Sequence, residues 1–269
     1  MLFPTLNFGL FFLVVFFVAW LLALKPFARL SGLRVLFLVA ASYFFYAFWD
    51  WRFMALLFGS TVLNAAGGLA VHHLKSPQSR RVAVGIAIAL NLAVLGVFKY
   101  FNFFSESLNA ALFAFGITRE LPYLTWALPI GISFFTFHGI SYVIDLYTGR
   151  LARPAPFSHV MLYISFFPQL VAGPIVRASF FLPQIAARPD PTAIKARRDF
   201  LLIIGGLFKK VVIANYLATD LVDDAFFDPT RFGTLDLLLA VYGYRINRRI
   251  TMTAMALFLV VENNRLNFI

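Results

Sequence analysis

The sequence predicts an all-α, polytopic transmembrane helical bundle with one re-entrant hairpin, on three observations. Hydrophobic residues make up 61% of the 269 positions and charged residues only 13%, whereas a soluble domain carries about 25% charged residues. Apolar runs approaching or exceeding the roughly 20 residues that a crossing helix needs recur along the chain. One apolar stretch, 157–185, is interrupted by Pro168-Gln169 and Gly173-Pro174 instead of running through. Helix cannot continue regularly across such positions.

The charge balance agrees. A net charge of +11 could suggest a nucleic-acid face, but the basic residues gather in short loops between apolar runs, as the orientation signal of membrane proteins requires. No basic patch with interleaved aromatics is present, so nucleic acid is excluded as a partner. The absence of cysteine removes disulfides, thiolate catalysis and Cys-ligated metals. No metal site is expected. The adjacent His72 and His73 point about 100° apart on a helix, with no carboxylate near them in sequence.

Taken in order, residues 7–24 form a first span, too long and continuous for the apolar core of a signal peptide and lacking a basic start. Lys25, Arg29 and Arg34 separate it from a second span, 35–49. The aromatic cluster Tyr43, Phe44, Tyr46, Trp49 and Trp51 around Asp50 and Arg52 reads as an interfacial belt. A third span, 53–71, ends in the basic run His72, His73, Lys75, Arg80 and Arg81. The fourth covers 82–104, and 108–115 is amphipathic enough for a separate interfacial helix. Phe200 to Leu217 crosses outward, with Lys209-Lys210 having to snorkel or pair. Asp220, Asp223, Asp224 and Asp228 make an acidic turn, and a short last span covers 235–244. Placing both strongly basic loops in the cytoplasm puts the amino terminus outside, and the parity of the remaining spans follows.

The fifth span, LPIGISFFTFHGISYVIDLYTG (128–149), carries Ser133, Thr136, His138, Ser141, Tyr142 and Asp145. At 100° per residue Gly131, Phe135, His138, Tyr142 and Asp145 share one face. Polar groups at depth face a bundle interior or a wet cavity. Both a packing role, with His138 holding a neighbouring helix, and a pathway role are open. The broken stretch 157–185 lies between basic loops that share a side, so it enters and leaves on one face. Non-helical backbone at that depth needs protein or water to satisfy it. The expectation is that His138, Ser141, Tyr142 and Gln169 line an internal tunnel, with Gln169 and Arg177 on the donor side.

Residues 128–149, SFFPQLVAGPIVRASFFLPQI (165–185), GLFKKVVIANYLA (206–218) and YFFYAFWDWRF (43–53) resemble the signature segments of the membrane-bound O-acyltransferase family, in particular its alginate O-acetyltransferase branch. The resemblance runs to about Ile246. It implies an enzyme of the bacterial inner membrane that moves an acetyl group from a cytoplasmic donor such as acetyl-CoA, a substrate and not a bound cofactor, to a hydroxyl of an exported polysaccharide. Membrane lipid and periplasmic acetylation proteins are the implied partners. The family's catalytic histidine stands in a Trp-His-Gly context. None of His72, His73, His138 and His159 does, so no catalytic residue is carried over. Where the family continues into an Asp-Phe-Ser-Gly core, this chain reads NRRITMTAMALFLVVENNRLNFI (247–269). The expectation is therefore an amino-terminal part, 1–246, followed by an atypical tail that a frameshift or truncation would explain, inactive alone. A transporter and a non-catalytic scaffold of an exopolysaccharide complex are the alternatives. Internal repeats would favour a transporter, and none occurs at fixed spacing.

Overall fold

Every regular element of the described residues is helical. The computed structural model describes residues 6–23, 31–116, 122–123, 128–170, 175–187 and 196–262. They fall into two compact units, one drawn from 35–170 and 175–186, the other from the described residues of 1–34 and 187–269.

The first unit contains α2 (Ser31–Ala47) from Val35 onward, α3 (Phe53–His73), α4 (Pro77–Ala114) and α5 (Ile132–Tyr147). After them come three short helices, α6 (Phe157–Ser165), α7 (Phe167–Leu170) and α8 (Ala178–Ala186). Among the described residues two helices, α3 and α4, are long and apolar enough to cross a membrane. Their outer faces present Phe58, Val62, Leu69, Val82, Ile86 and Leu90, and such a surface suits lipid. The chain is a membrane protein.

The core of this unit is where α3, α4 and α5 meet, around Leu57, Val71, Ala87, Phe135, Tyr142 and Val143. Lipid tails are as apolar as leucine, so helices here associate by close packing and interhelical hydrogen bonds instead of by escape from water. Helix α3 supplies the small residues that permit it. A Cβ on Gly68 would stand 2.6 Å from the Tyr142 ring and 2.7 Å from Leu146. Only glycine lets α5 lie this close.

Helix α5 starts at Ile132, four residues inside the apolar run, because Gly131 adopts a left-handed conformation (φ 76°) at its N-cap. Gly149 (φ 76°) stands just past the C-cap Thr148, the usual place for a left-handed residue. The expected separate helix over 108–115 is not formed. Instead α4 runs unbroken for 38 residues, about 57 Å at 1.5 Å per residue, and so outreaches a bilayer core of about 30 Å. No proline or glycine lies between Gly96 and Gly116, and Gly116 (φ 78°) follows where the helix stops.

The broken stretch is confirmed as a hairpin. Tyr163 on α6 packs its ring 5.4 Å from Phe181 on α8, and Phe166 lies 5.2 Å from the same ring. These pairs straddle 171–174, so the two arms fold back on each other. Pro168 is the second residue of α7, where its missing N–H is harmless. Gly173-Pro174 lie outside the described residues.

In the second unit, α1 (Leu6–Ala23) carries an i,i+4 aromatic ladder, Phe8, Phe12, Phe16 and Trp20, with successive centroids 6.2, 6.1 and 6.2 Å apart. After α9 (Ala196–Phe208) the chain widens into two π-helical turns, Lys209–Ala214 and Ala218–Asp223, separated by the short α10 (Asn215–Leu217) and followed by α11 (Asp224–Phe227). The Lys210 ammonium donates to the Thr251 hydroxyl at 3.5 Å, so this lysine pairs. Helix α12 runs from Thr234 to Glu262, well beyond the short span expected over 235–244. It passes position 246 without a break. Residues 263–269 lie outside the described residues.

Candidate functional site

The polar face of α5 is buried as its periodicity predicts: Phe135, His138, Tyr142 and Asp145 are each at most 2% exposed. What these side chains do follows from the hairpin beside them. A helix start leaves its first N–H groups without intrahelical acceptors, and inside a membrane each such donor is costly. At the start of α8 the Ala178 N–H donates to the Ser141 hydroxyl at 3.4 Å, and the Ser179 N–H donates to the Asp145 carboxylate at 2.9 Å. Ser141 and Asp145 are four residues apart, hence on one side of α5. Before α6 the Ala155 N–H donates to the Tyr142 hydroxyl at 3.2 Å. Asp145 also lies 3.8 Å from the guanidinium of Arg150, whose side chain is 51% exposed.

The other end of α5 meets α7. The carbonyl of Leu170 occupies the space that a Cβ on Gly131 would need. Tyr46 donates to the Ile130 carbonyl at 2.9 Å, and the Phe167 N–H donates to the Ser42 hydroxyl at 3.3 Å. Helix α2 thus braces both the entry to α5 and the start of α7.

His138 and Gln169 differ from these groups. The His138 ring packs 5.1 Å from that of Tyr163, whose hydroxyl is committed to the Val176 carbonyl at 2.7 Å. Among the described residues neither ring nitrogen of His138 has a hydrogen-bond partner, and neither does the side-chain oxygen of Gln169. Both residues are 2% exposed or less. Arg177 is exposed and lies in the turn before α8, its carbonyl accepting the N–H groups of Phe180 and Phe181. Of the sequence-predicted residues, then, Ser141 and Tyr142 join Asp145 in holding the hairpin. His138 and Gln169 are the buried groups left uncommitted, and Arg177 stands apart from them at the surface. No described side chain hydrogen-bonds to the His138 ring, so no nucleophile–base pair forms there.

Sequence reasoning missed two arrangements. Asn64 and Asn91 exchange reciprocal amide hydrogen bonds of 3.1 and 2.9 Å between α3 and α4, with Gly139 of α5 packed directly on the Asn64 amide. Asparagine inside an apolar helix was the available signal. Arg80, read only as loop charge, donates to the Val71 carbonyl at 3.1 Å and to the Tyr147 carbonyl at 3.2 Å. One cation thereby serves the C-terminal ends of α3 and α5, where the helix dipole favours it.

Comparison with known proteins places these features. The chain is 39% identical over 195 residues to a protein of Pseudomonas putida named probable alginate O-acetylase AlgI, covering 70% of this chain and 39% of that one. A peptidoglycan O-acetyltransferase of Helicobacter pylori is 34% identical over 244 residues, 81% of this chain and 45% of its own. Over the matched residues the chain is similar to proteins of the membrane-bound O-acyltransferase type. A further relative, the probable alginate O-acetylase AlgI of Azotobacter vinelandii, is 36% identical over 216 residues, 78% of this chain and 42% of its own. The chain therefore spans less than half the length of these curated relatives. No family model matches the chain, and no solved structure matches it.

Proposed function

We propose that the chain serves O-acetylation of an exported polysaccharide, such as alginate or peptidoglycan, at the bacterial inner membrane. The observation that carries this reading is the identity of 34–39% over 195–244 residues to proteins named as O-acetylases or O-acetyltransferases of two such polymers. On this reading the donor is a cytoplasmic acyl thioester such as acetyl-CoA, the amino terminus is outside, and periplasmic acetylation proteins are partners. His138 and Gln169 border the internal passage. Ser141 and Tyr142 shape its wall through the hairpin they hold, and Arg177 lies on the donor side.

Acyl transfer to a hydroxyl needs a base to take the hydroxyl proton. The family's histidine context is absent from these 269 residues, so the base comes from outside them. The test is expression in bacterial membranes with a labelled acetyl donor, alone and together with the missing portion of a relative. Labelled polysaccharide is expected only in the co-expression. If the intact relative acetylates polymer in the same membranes but the combination does not, the reading fails.

A further inference from the structure

We propose that His138 and Gln169 mark an interior binding site for a neutral O–H group, either water or a hydroxyl of a small polyol. It lies within the unit of residues 35–170 and 175–186. The two ring nitrogens of His138 and the side-chain oxygen of Gln169 are buried polar atoms without a partner among the described residues. Native interiors rarely tolerate such atoms, since each costs on the order of 1–3 kcal/mol unless something bonds to it.

Among the described residues no group reaches those atoms. Ser141, Tyr142 and Asp145 accept backbone N–H groups, and Tyr163 donates to the Val176 carbonyl. The surrounding side chains are aromatic: Tyr163 against His138, then Phe181, Phe166 and Phe167 in successive ring contact.

Helix α7, which carries Gln169, packs against the start of α5, the helix that carries His138. Gly131 touches the Leu170 carbonyl, next in sequence to Gln169. His138 follows Gly131 by seven residues, two turns along the same side and about 10 Å along the axis.

The chemistry narrows the ligand further. A neutral imidazole offers one donor and one acceptor, while the Gln169 oxygen can only accept. A hydroxyl can accept from an imidazole N–H, and a hydroxyl can donate to the amide oxygen. A carbonyl compound could not donate, and an ammonium could not accept. An anion would find no free cationic partner here, since Arg150 lies beside Asp145 and Arg177 is exposed. The inference does not use acetyl transfer, so loss of that reading leaves it standing.

The test uses the full chain in lipid nanodiscs with 15N-labelled histidine. Four histidines give four ring systems, and His138→Phe assigns the one of interest. If that variant does not fold, His72→Gln, His73→Gln and His159→Gln assign it by elimination. Magnetisation transfer to the His138 ring N–H is then measured from water and from added glycerol. Transfer from the water resonance identifies water as the occupant. Transfer from the carbon-bound hydrogens of glycerol, growing with its concentration, identifies a polyol. Either supports the site, with the transfer lost in Gln169→Leu. No transfer from either source, or transfer unchanged in Gln169→Leu, overturns it.

Discussion

Replacing Gly139 with alanine tests whether α3, α4 and α5 are locked through one amide pair. The new Cβ would lie 2.8 Å from the Asn64 side-chain oxygen, with that amide's carbon and nitrogen closer still. Two relaxations are open. Helix α5 can withdraw, which overpacks the core at a cost of about 1–3 kcal/mol. Alternatively Asn64 can turn away and break its two bonds to Asn91, each worth about 0.6–2 kcal/mol between membrane helices. Together the two routes predict a loss of about 1–4 kcal/mol. The assay is unfolding by an ionic detergent in mixed micelles, followed by the fluorescence of the four tryptophans. The decisive comparison adds Gly139→Ala to an Asn64→Ala background, where the colliding amide is gone. There the penalty should fall to within about 0.5 kcal/mol of zero, a coupling that independent sites do not show. An equal penalty in both backgrounds, or none in the native one, refutes the lock.

Three further outcomes are expected. Arg80→Met removes a charged donor from two helix ends and should lower the same unfolding free energy by about 1–2 kcal/mol, a figure discounted for the partial exposure of Arg80. Asp145→Ala strips the acceptor from the Ser179 N–H, and Asp145→Asn retains one. In this cysteine-free chain, thiol labelling of Ala178→Cys should quicken about tenfold with the alanine and little with the asparagine; equal rates would place the capping elsewhere. For orientation, an impermeant maleimide on intact cells should label Trp51→Cys and leave His72→Cys unlabelled until the membrane is opened. The reverse pattern inverts the proposed topology.

Much of the helical layout was legible because hydrocarbon imposes one rule, that backbone groups be satisfied within the segment. Apolar length and flanking charge therefore located α1 to α4, and proline placement located the hairpin. The readings that failed depended on where helices end. Residues 108–115 look amphipathic alone, yet with no breaker before Gly116 they simply extend α4. The π-helical turns at Lys209–Ala214 and Ala218–Asp223 left no periodic trace, since one extra residue per turn is a local backbone adjustment and not a pattern. For the site, periodicity named the correct face of α5. It could not say which polar groups were already spent. That depends on which backbone donors the hairpin presents, and three-dimensional placement alone decides it.

The two unusual stretches of this sequence, a polar-studded helix and a proline-broken hairpin, are therefore one feature. Breaking the hairpin exposes the N–H groups of Ala155, Ala178 and Ser179, and α5 answers with acceptors at Tyr142, Ser141 and Asp145. In water those donors would find solvent. In a bilayer, leaving each unmet would cost several kcal/mol, so the hairpin can exist only beside a helix carrying oxygen at those positions. The polarity of α5 is thus not by itself a sign of a passage. What the hairpin does not consume is the imidazole of His138 and the amide oxygen of Gln169. Ligand chemistry beside α5 is to be sought at those two groups, because Ser141, Tyr142 and Asp145 already accept backbone N–H groups.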